Sequence, residues 1–476
     1  MFDDRSRQFK NQYVDLAPVD LSLYQPFVGK DAMDRLKWLA APLEHKIWSN
    51  VNSTFVGGGV AEMLQSIIPF ARALGIDCRW FVIEGTQEFF NVTKKFHNLL
   101  QGIRQPITIE EIFHAYLDTL TENTKRAKVV AHFITVHDPQ PAAMIMSGML
   151  YGHTIWRCHI DTSQASRRIW RFLLPYVNQY SGAVFTAAEF IKENLQTPAY
   201  EISPSIDPLR AKNKEYSREE ALGHLSDLFH KAGIDPDRPL IVAISRYDIH
   251  KNQKGIIRSF KLLKENLKNR SPLLIMLGNT ATDDPEGAAM FDFVREEAEG
   301  DPDIHLFLNV ENNDVVVGSL MRLADCFVHI ATREGFGLVV SEAMWQGTPV
   351  IGSYVGGIKK QIMHGNTGFL VNPNDYEAVA AHMKTLVEDK AQRMSMGKNA
   401  KEFVREHFLL PVMMKKEFEL MRYYLEIDNK TPEFRINELT YNEIKQALYG
   451  RSIWPFTSDE LKKKLESIWE DMQRPE

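Results

Sequence analysis

With 476 residues, 44% of them hydrophobic and 25% charged, the chain is an ordinary globular protein and too long for one hydrophobic core, so two domains of roughly 200 residues each are expected. Its 56 basic and 62 acidic residues leave a formal charge of −6, with no basic excess to bind nucleic acid. Cys78, Cys158 and Cys326 lie far apart without a CxxC pair, which excludes a disulfide scaffold and reads as buried, reduced thiols.

Residues 1–44 precede the first clear strand, and the opening MFDDRSRQFK has no apolar signal core. The longest apolar runs, such as Leu240–Ile244 and Leu273–Leu277, fall far short of the ~20 residues of a membrane span. The expectation is a cytoplasmic protein with no membrane partner.

Strand-like runs then alternate with helix-length amphipathic segments. In the first half they are His45–Ser49, Cys78–Ile83, Lys128–His137, His153–Ile160 and Ala183–Ala187. In the second half they are Leu240–Ser245, Leu273–Leu277, His305–Asn309, Cys326–Ile330, Pro349–Gly352 and Gly368–Val371. Continuous apolar strands alternating with helices predict parallel sheets covered on both faces. The alternation restarts after a Pro-punctuated, strandless stretch, Thr197–Asn213, which reads as a linker. The fold class is therefore α/β, with two doubly wound, Rossmann-like domains, 1–204 and 205–430, facing each other across a cleft, followed by a charged helical extension, 431–476. That extension carries Trp454, Pro455 and Phe456 as a docking point and is a candidate for a homodimer contact.

Ligands of such sheets bind at the carboxyl ends of the strands, and the polar motifs fall there. Gly57, Gly58 and Gly59 follow the first strand and precede a helix over Val60–Leu74; glycines there let backbone approach a ligand, although such a run is also an ordinary turn. His137-Asp138-Pro139-Gln140 caps one strand and Trp156-Arg157-Cys158-His159-Ile160-Asp161 the next. A histidine at such a place either binds substrate or bonds backbone. Ser245-Arg246-Tyr247-Asp248-Ile249-His250-Lys251 follows the first strand of the second half. Arg246 offers a fork and Lys251 a point charge for a diphosphate, where the bland reading is a solvated basic loop.

The most informative stretch is ADCFVHIATREGFGLVVSEAMWQGTPVIG from Ala324, continuing SYVGGIKKQIMHGNTGFLVNP. A strand ends in a polar turn, and Gly335-Phe336-Gly337-Leu338 opens a helix whose free amides suit an anion. Glu334 and Glu342 are eight apart, roughly 12 Å along a helix. That span suits hydroxyl-rich groups on either side of a diphosphate.

These residues resemble the E-x7-E signature of retaining glycosyltransferases built from two Rossmann domains (the GT-B fold). By that resemblance Glu334 holds the donor sugar, Glu342 the ribose, and Arg246 with Lys251 the diphosphate. The Lys-Gly usual in the family is here Lys251-Asn252. Gly58 and Gly59 match its N-terminal glycine loop. His137 and Asp138 match acceptor contacts, and His159 a donor-sugar contact.

Further blocks, EFFNVTKKFHNLLQG (Glu88–Gly102), HDPQPAA, WRCHID, SPSIDPL and TDDPEG (Thr282–Gly287), closely resemble trehalose glycosyltransferring synthases, which join the glucosyl unit of a nucleoside-diphosphate glucose to glucose. The likeness runs from about residue 45 to 425. It implies that Phe89 to Lys94, with Asn91 and Lys94 as polar contacts, and Gln140 line the acceptor side. It also implies transfer with retention by front-face substitution. No cofactor is required beyond the nucleotide sugar (its base, ADP, UDP or GDP, left open), and Mg would stimulate without being protein-bound. No DxD metal motif stands out, since Asp235/Asp237 and Asp301/Asp303 flank prolines. The same blocks recur less closely in retaining trehalose phosphorylases. A sugar-nucleotide epimerase and a non-catalytic binder are the remaining readings.

Overall fold

The computed structural model describes residues 13–56, 58–126, 129–147, 150–267, 271–279 and 287–430. Both the 431–476 extension and residues 282–286 of the TDDPEG block lie outside these, as do Gly57 and Lys128.

By contacts the chain divides into two compact units. The sequence reading crosses once, near residue 205. The contacts put that crossing between Ile202 and Ser203, assign Leu23–Gly29 to the second unit, and return the chain to the first from Met414.

The first unit holds a seven-stranded sheet: β1 (Tyr13–Val14), β2 (Ile47–Asn52), β3 (Asp77–Val82), β4 (Val129–His137), β5 (Leu150–Cys158), β6 (Gly182–Phe185) and β7 (Ala199–Glu201), in the order β1-β3-β2-β4-β5-β6-β7. All neighbours are parallel except the edge pair β1/β3. The second unit holds β8 (Leu240–Ile244), β9 (Leu273–Gly278), β10 (Ile304–Leu308), β11 (Cys326–His329), β12 (Val350–Ser353) and β13 (Gly368–Val371), ordered β10-β9-β8-β11-β12-β13 and parallel throughout. Taken in chain order that is 3-2-1-4-5-6, the order of dinucleotide-binding sheets, with a switch point between β8 and β11.

The eleven expected strands all form, with shifted ends. Two were not expected. β7 falls inside Thr197–Asn213, so that stretch is not strandless: its Ala199 to Glu201 pair with Ala183 to Phe185 of β6, although flanking prolines hide so short an edge segment in sequence. β1 is a two-residue edge strand, too short to show periodicity.

Both faces of the second sheet are buried. Along β8, Leu240, Val242 and Ile244 enter one hydrophobic cluster and Ile241 and Ala243 the other, as strand alternation requires. In the first unit, Phe81, Ile134, Val136, Trp156 and Phe185 pack against Phe89, Phe96, Ile169 and Phe172 from its helices. Cys78, Cys158 and Cys326 are all free and buried. Among the described residues no helix is long and apolar enough to cross a membrane.

Glycine spacing sets one close packing contact. A Cβ on Gly397, in helix Lys390–His407, would lie 2.0 Å from the carbonyl oxygen of Gly347. Gly223, exposed in helix Arg218–Ala232, meets nothing within 4 Å. Alanine is the better helix former at both by about 1 kcal/mol, so packing decides the sign. Gly223→Ala is expected to raise the melting temperature slightly. Gly397→Ala is expected to lower it, by an overpacking cost of about 1–3 kcal/mol or more. Calorimetry on the two variants checks this, and equal shifts would refute it.

Candidate functional site

In the second unit the switch point places the loops after β8 and β11 side by side. Lys251 ends a short turn, Ile249–Lys251, and its Nζ lies 2.6 Å from Glu334 Oε2. The same oxygen is 2.8 Å from His329 Nε2, on the last residue of β11. Burial alone would raise the Glu334 carboxyl, but the Lys251 charge and the His329 hydrogen bond outweigh it and hold it well below the carboxylate range. A carboxylate buried against an ammonium keeps its charge because breaking such a pair strands the partner.

Backbone and amide bonds tie the two loops. Thr332 N donates to His250 O at 2.7 Å. Asn252 is left-handed at φ 54° and donates through Nδ2 to Pro373 O at 2.7 Å, so asparagine in place of the family's glycine still supplies that conformation. Arg246 is half-buried on the same loop, its carbonyl accepting from Gln253 Nε2 at 2.8 Å.

Gly337 is left-handed at φ 80° and precedes helix Leu338–Trp345, whose first turn has no side-chain cap. Phe336 is buried, and its carbonyl accepts from Gln361 Nε2. Gly357 seats this turn: its N–H donates to Glu334 O at 3.2 Å, and a Cβ there would lie 2.4 Å from Gly335 O. The helix begins at Leu338, so Glu334 stands on the loop before it and the distance reckoned along a continuous helix does not apply. Glu342 is inside that helix and 1% exposed. Its Oε1 lies 2.6 Å from Lys212 Nζ, a residue of the stretch read as linker. Trp345 Nε1 and Gln346 Nε2 bind the carbonyls of Asn213 and Lys212, fastening that stretch to the helix.

In the first unit, His137 ends β4 and Asp138 follows with φ 64°. Asp138 Oδ1 accepts from His159 N at 2.8 Å, and Trp156 Nε1 donates to Asp138 O at 3.0 Å. The His137 and His159 rings lie nearly parallel with centroids 5.3 Å apart and meet edge to edge, Nδ1 of the former 3.0 Å from Nε2 of the latter. His137 Nε2 lies 3.1 Å from Asn50 Oδ1, on β2. Burial, then the Arg157 cation, lower both imidazoles well below their ordinary range. Arg157 is itself buried against Glu417 of helix Leu410–Lys430.

Gly58, left-handed at φ 89°, caps helix Gly59–Ala73 after β2. Gln140 presents a buried Oε1 without a hydrogen-bond partner. Helix Gln87–Leu100 divides the expected acceptor run in two: Phe89, Val92 and Thr93 are buried, while Asn91 is exposed and Lys94 half-buried. Phe89 and Val92 therefore belong to the core, which corrects the expectation that the whole run lines a binding surface. Asn91 Oδ1 accepts from Gln87 Nε2 at 3.0 Å.

The structure thus joins Lys251 to Glu334 and Asp138 to His159, while Glu342 pairs with Lys212. Sequence reasoning missed His329, Lys212, Asn50, Arg157 and Glu417. Two carried a visible signal: His329, a histidine at a strand end five residues before Glu334, and Arg157, inside the WRCHID block but given no role of its own. Asp301 and Asp303 bind Lys264 and Arg238, and among the described residues no group of three or more His, Cys, Asp or Glu is placed to hold a metal ion.

Burial raises the Asp138 carboxyl from an ordinary 3.8 to about 7. The folded chain therefore keeps a proton there that the unfolded chain releases near pH 4. The resulting stability is fully present below about pH 4 and is lost progressively as pH rises to about 7. Asp138→Asn keeps an acceptor oxygen, tolerates the positive φ and removes the ionisation. His137 and His159 push the other way, being harder to protonate in the folded chain, so the expected outcome is signed. The melting temperature at pH 5 minus that at pH 8 should fall in this variant, and an unchanged difference would show that Asp138 does not titrate there.

Residues 50–192 match a family profile described as the N-terminal domain of trehalose synthase, and residues 226–403 match glycosyl transferases group 1. The chain is 38% identical over 404 residues to a trehalose synthase of Thermococcus litoralis, covering 84% of this chain and 96% of that one. It is 27% identical to a trehalose phosphorylase of Pleurotus pulmonarius, covering 82% of this chain and 58% of that one. In fold it resembles an α,α-trehalose 6-phosphate synthase of Burkholderia multivorans, with a TM-score of 0.63 at 15% identity, covering 81% of this chain and 100% of that one. With its two Rossmann-like units and a match along nearly the whole length of a relative, this chain is a glycosyltransferase of the GT-B fold and belongs to the trehalose synthase family.

Proposed function

We propose that the protein forms trehalose from a nucleoside-diphosphate glucose and free glucose, reversibly and with retention at the transferred carbon. The observation that carries this reading is the cluster of Lys251, Glu334 and His329 at the switch point of a sheet with nucleotide-binding strand order. The Thermococcus relative's name, trehalose synthase, supports the product.

In this reading the diphosphate meets Lys251, Arg246 and the helix-start amides of Leu338 and Val339. Cationic and dipolar groups already in place stabilise charge as it develops on the leaving group. Lys251 is held by Glu334 before donor arrives, so little reorganisation accompanies binding. Glu334 keeps one oxygen on Lys251 and His329 and offers the other to sugar hydroxyls, with Gly335 and Gly337 letting the turn approach the ring. Glu342, steadied by Lys212, serves the ribose. On the acceptor side, Asp138, His137, Gln140, Asn91 and Lys94 orient glucose, while Gly58 and Gly59, at the start of helix Gly59–Ala73, let backbone approach the donor's phosphate and sugar.

The acceptor hydroxyl attacks the anomeric carbon on the face that diphosphate leaves, and its proton passes to the departing phosphate oxygen. Retaining glycosidases instead use two carboxyls about 5 Å apart, one as nucleophile. Glu334 is already committed to a cation and an imidazole, which makes it a poor nucleophile. No protein-bound metal enters this scheme; Mg would act on the nucleotide.

Purified protein incubated with glucose and ADP-, UDP- or GDP-glucose is expected to yield α,α-trehalose by NMR, with activity retained in EDTA. Product only from glucose 1-phosphate would instead identify a phosphorylase, an altered monosaccharide an epimerase, and no product a binder. Lys251→Ala and Glu334→Ala are each expected to lower kcat by about 100-fold or more, in line with the loss of a charge-stabilising group. Because the two act as one unit, the double variant should lose little more than either single one. Fully additive losses would refute the shared role.

A further inference from the structure

The histidine pair of the first unit has a direction, and nothing assigned so far explains it. β2 and β4 are neighbours, with Asn50 opposite Thr135 in register, and Asn50 is fully buried. Asn50 Nδ2 donates to Cys78 Sγ at 3.6 Å, which turns Oδ1 toward His137 Nε2 at 3.1 Å. Burial pushes the Cys78 thiol up to values where it stays protonated and uncharged.

An amide oxygen only accepts, so the proton of His137 is on Nε2. Both imidazoles are neutral, because burial holds each well below its ordinary range. His137 Nδ1 is then a bare lone pair, and the 3.0 Å contact with His159 Nε2 must be donated by His159. Each ring has a single proton, which leaves His159 Nδ1 as an acceptor. One side-chain amide on β2 thereby sets the polarity of a nitrogen on the residue following β5, through two hydrogen bonds.

We propose that Asn50 is a positioning residue that locks the His137–His159 pair in the Nε2–H tautomers, so that His159 meets a sugar hydroxyl as a hydrogen-bond acceptor and never as a donor. The assignment of His159 to a sugar rests on the glycosyl-transfer reading, whereas the tautomer lock does not. A hydroxyl that gives its proton to His159 keeps its own oxygen lone pairs for a second donor, which orients it in one sense only. Reversing the amide would reverse every donor along the line and turn His159 into a donor at the same place.

The test is long-range 1H–15N correlation NMR on ring-15N-histidine protein at neutral pH, without substrate, with the two residues assigned through His137→Gln and His159→Gln. Nε2 protonated and Nδ1 bare on both rings is the expected result. Protonated Nδ1 on either ring, an imidazolium, or exchange-averaged tautomers would overturn the proposal, whatever the enzyme makes. Asn50→Asp keeps an oxygen opposite His137 and should retain the Nε2–H pattern. Asn50→Leu should abolish it and lower kcat/KM for glycosyl transfer by roughly tenfold, the scale of one lost buried hydrogen bond. An Asn50→Leu protein with the wild-type pattern would remove Asn50 from the lock. Trehalose formation failing in wild-type protein with the tautomers as stated would sink the transfer reading and leave the lock standing.

Discussion

The ion pair between Lys251 and Glu334 is the constraint around which the second unit's site is organised. The two side chains come from loops after β8 and β11, strands whose helical connections run in opposite directions along the sheet. A parallel sheet leaves a crevice at such a point, and something must fill it. Here a cation and an anion fill it, both largely withdrawn from water, at side-chain exposures of 15% and 13%. Burying that pair in the absence of ligand costs desolvation and contributes little net stability. Its presence makes better sense as preorganisation: each side chain keeps the other in place, and the lysine keeps the Glu334 carboxyl ionised.

The surrounding residues serve that pair. Asn252 adopts a left-handed conformation and pins its loop to Pro373 and Ile330. Gly357 lacks a side chain because the Gly335 carbonyl occupies the space. Gln361 reaches the carbonyl of Phe336 and the hydroxyl of Ser341. Each of these contacts limits where Glu334 and the helix start can move. The loops after β11 and β12 are thus rich in glycine for a packing reason.

Most of the sheet architecture was legible because buried parallel strands must be apolar throughout, and runs such as Leu240–Ile244 and Leu273–Leu277 satisfy nothing else. Lys251 and Glu334 were legible because their motifs are local in sequence. Pairs formed across the fold were not. Lys212 lies 130 residues before Glu342, and Arg157 meets Glu417 only because helix Leu410–Lys430 returns the chain to the first unit. A lysine in a polar connecting stretch or a glutamate in an amphipathic helix looks like solvated surface until its partner is known. The Phe89–Lys94 run failed for the opposite reason: a motif read as one surface lies on a helix, whose 3.6-residue period sends Phe89 and Val92 inward and Asn91 outward.

Arg157 and Glu417 show what such a hidden pair can do. Both side chains are at most 5% exposed, so neither charge is screened by solvent. The Arg157 cation acts on Asp138, His137 and His159 together. It favours the ionised carboxylate and the neutral imidazoles, so it lessens the proton affinity of all three groups. Without Glu417, an uncompensated guanidinium would sit beside Asp138, His137 and His159, and removing one partner of a buried pair is strongly destabilising. Helix Leu410–Lys430 thus contributes more than packing to the first unit. Through one carboxylate it balances the charge that bears on the protonation of Asp138, His137 and His159.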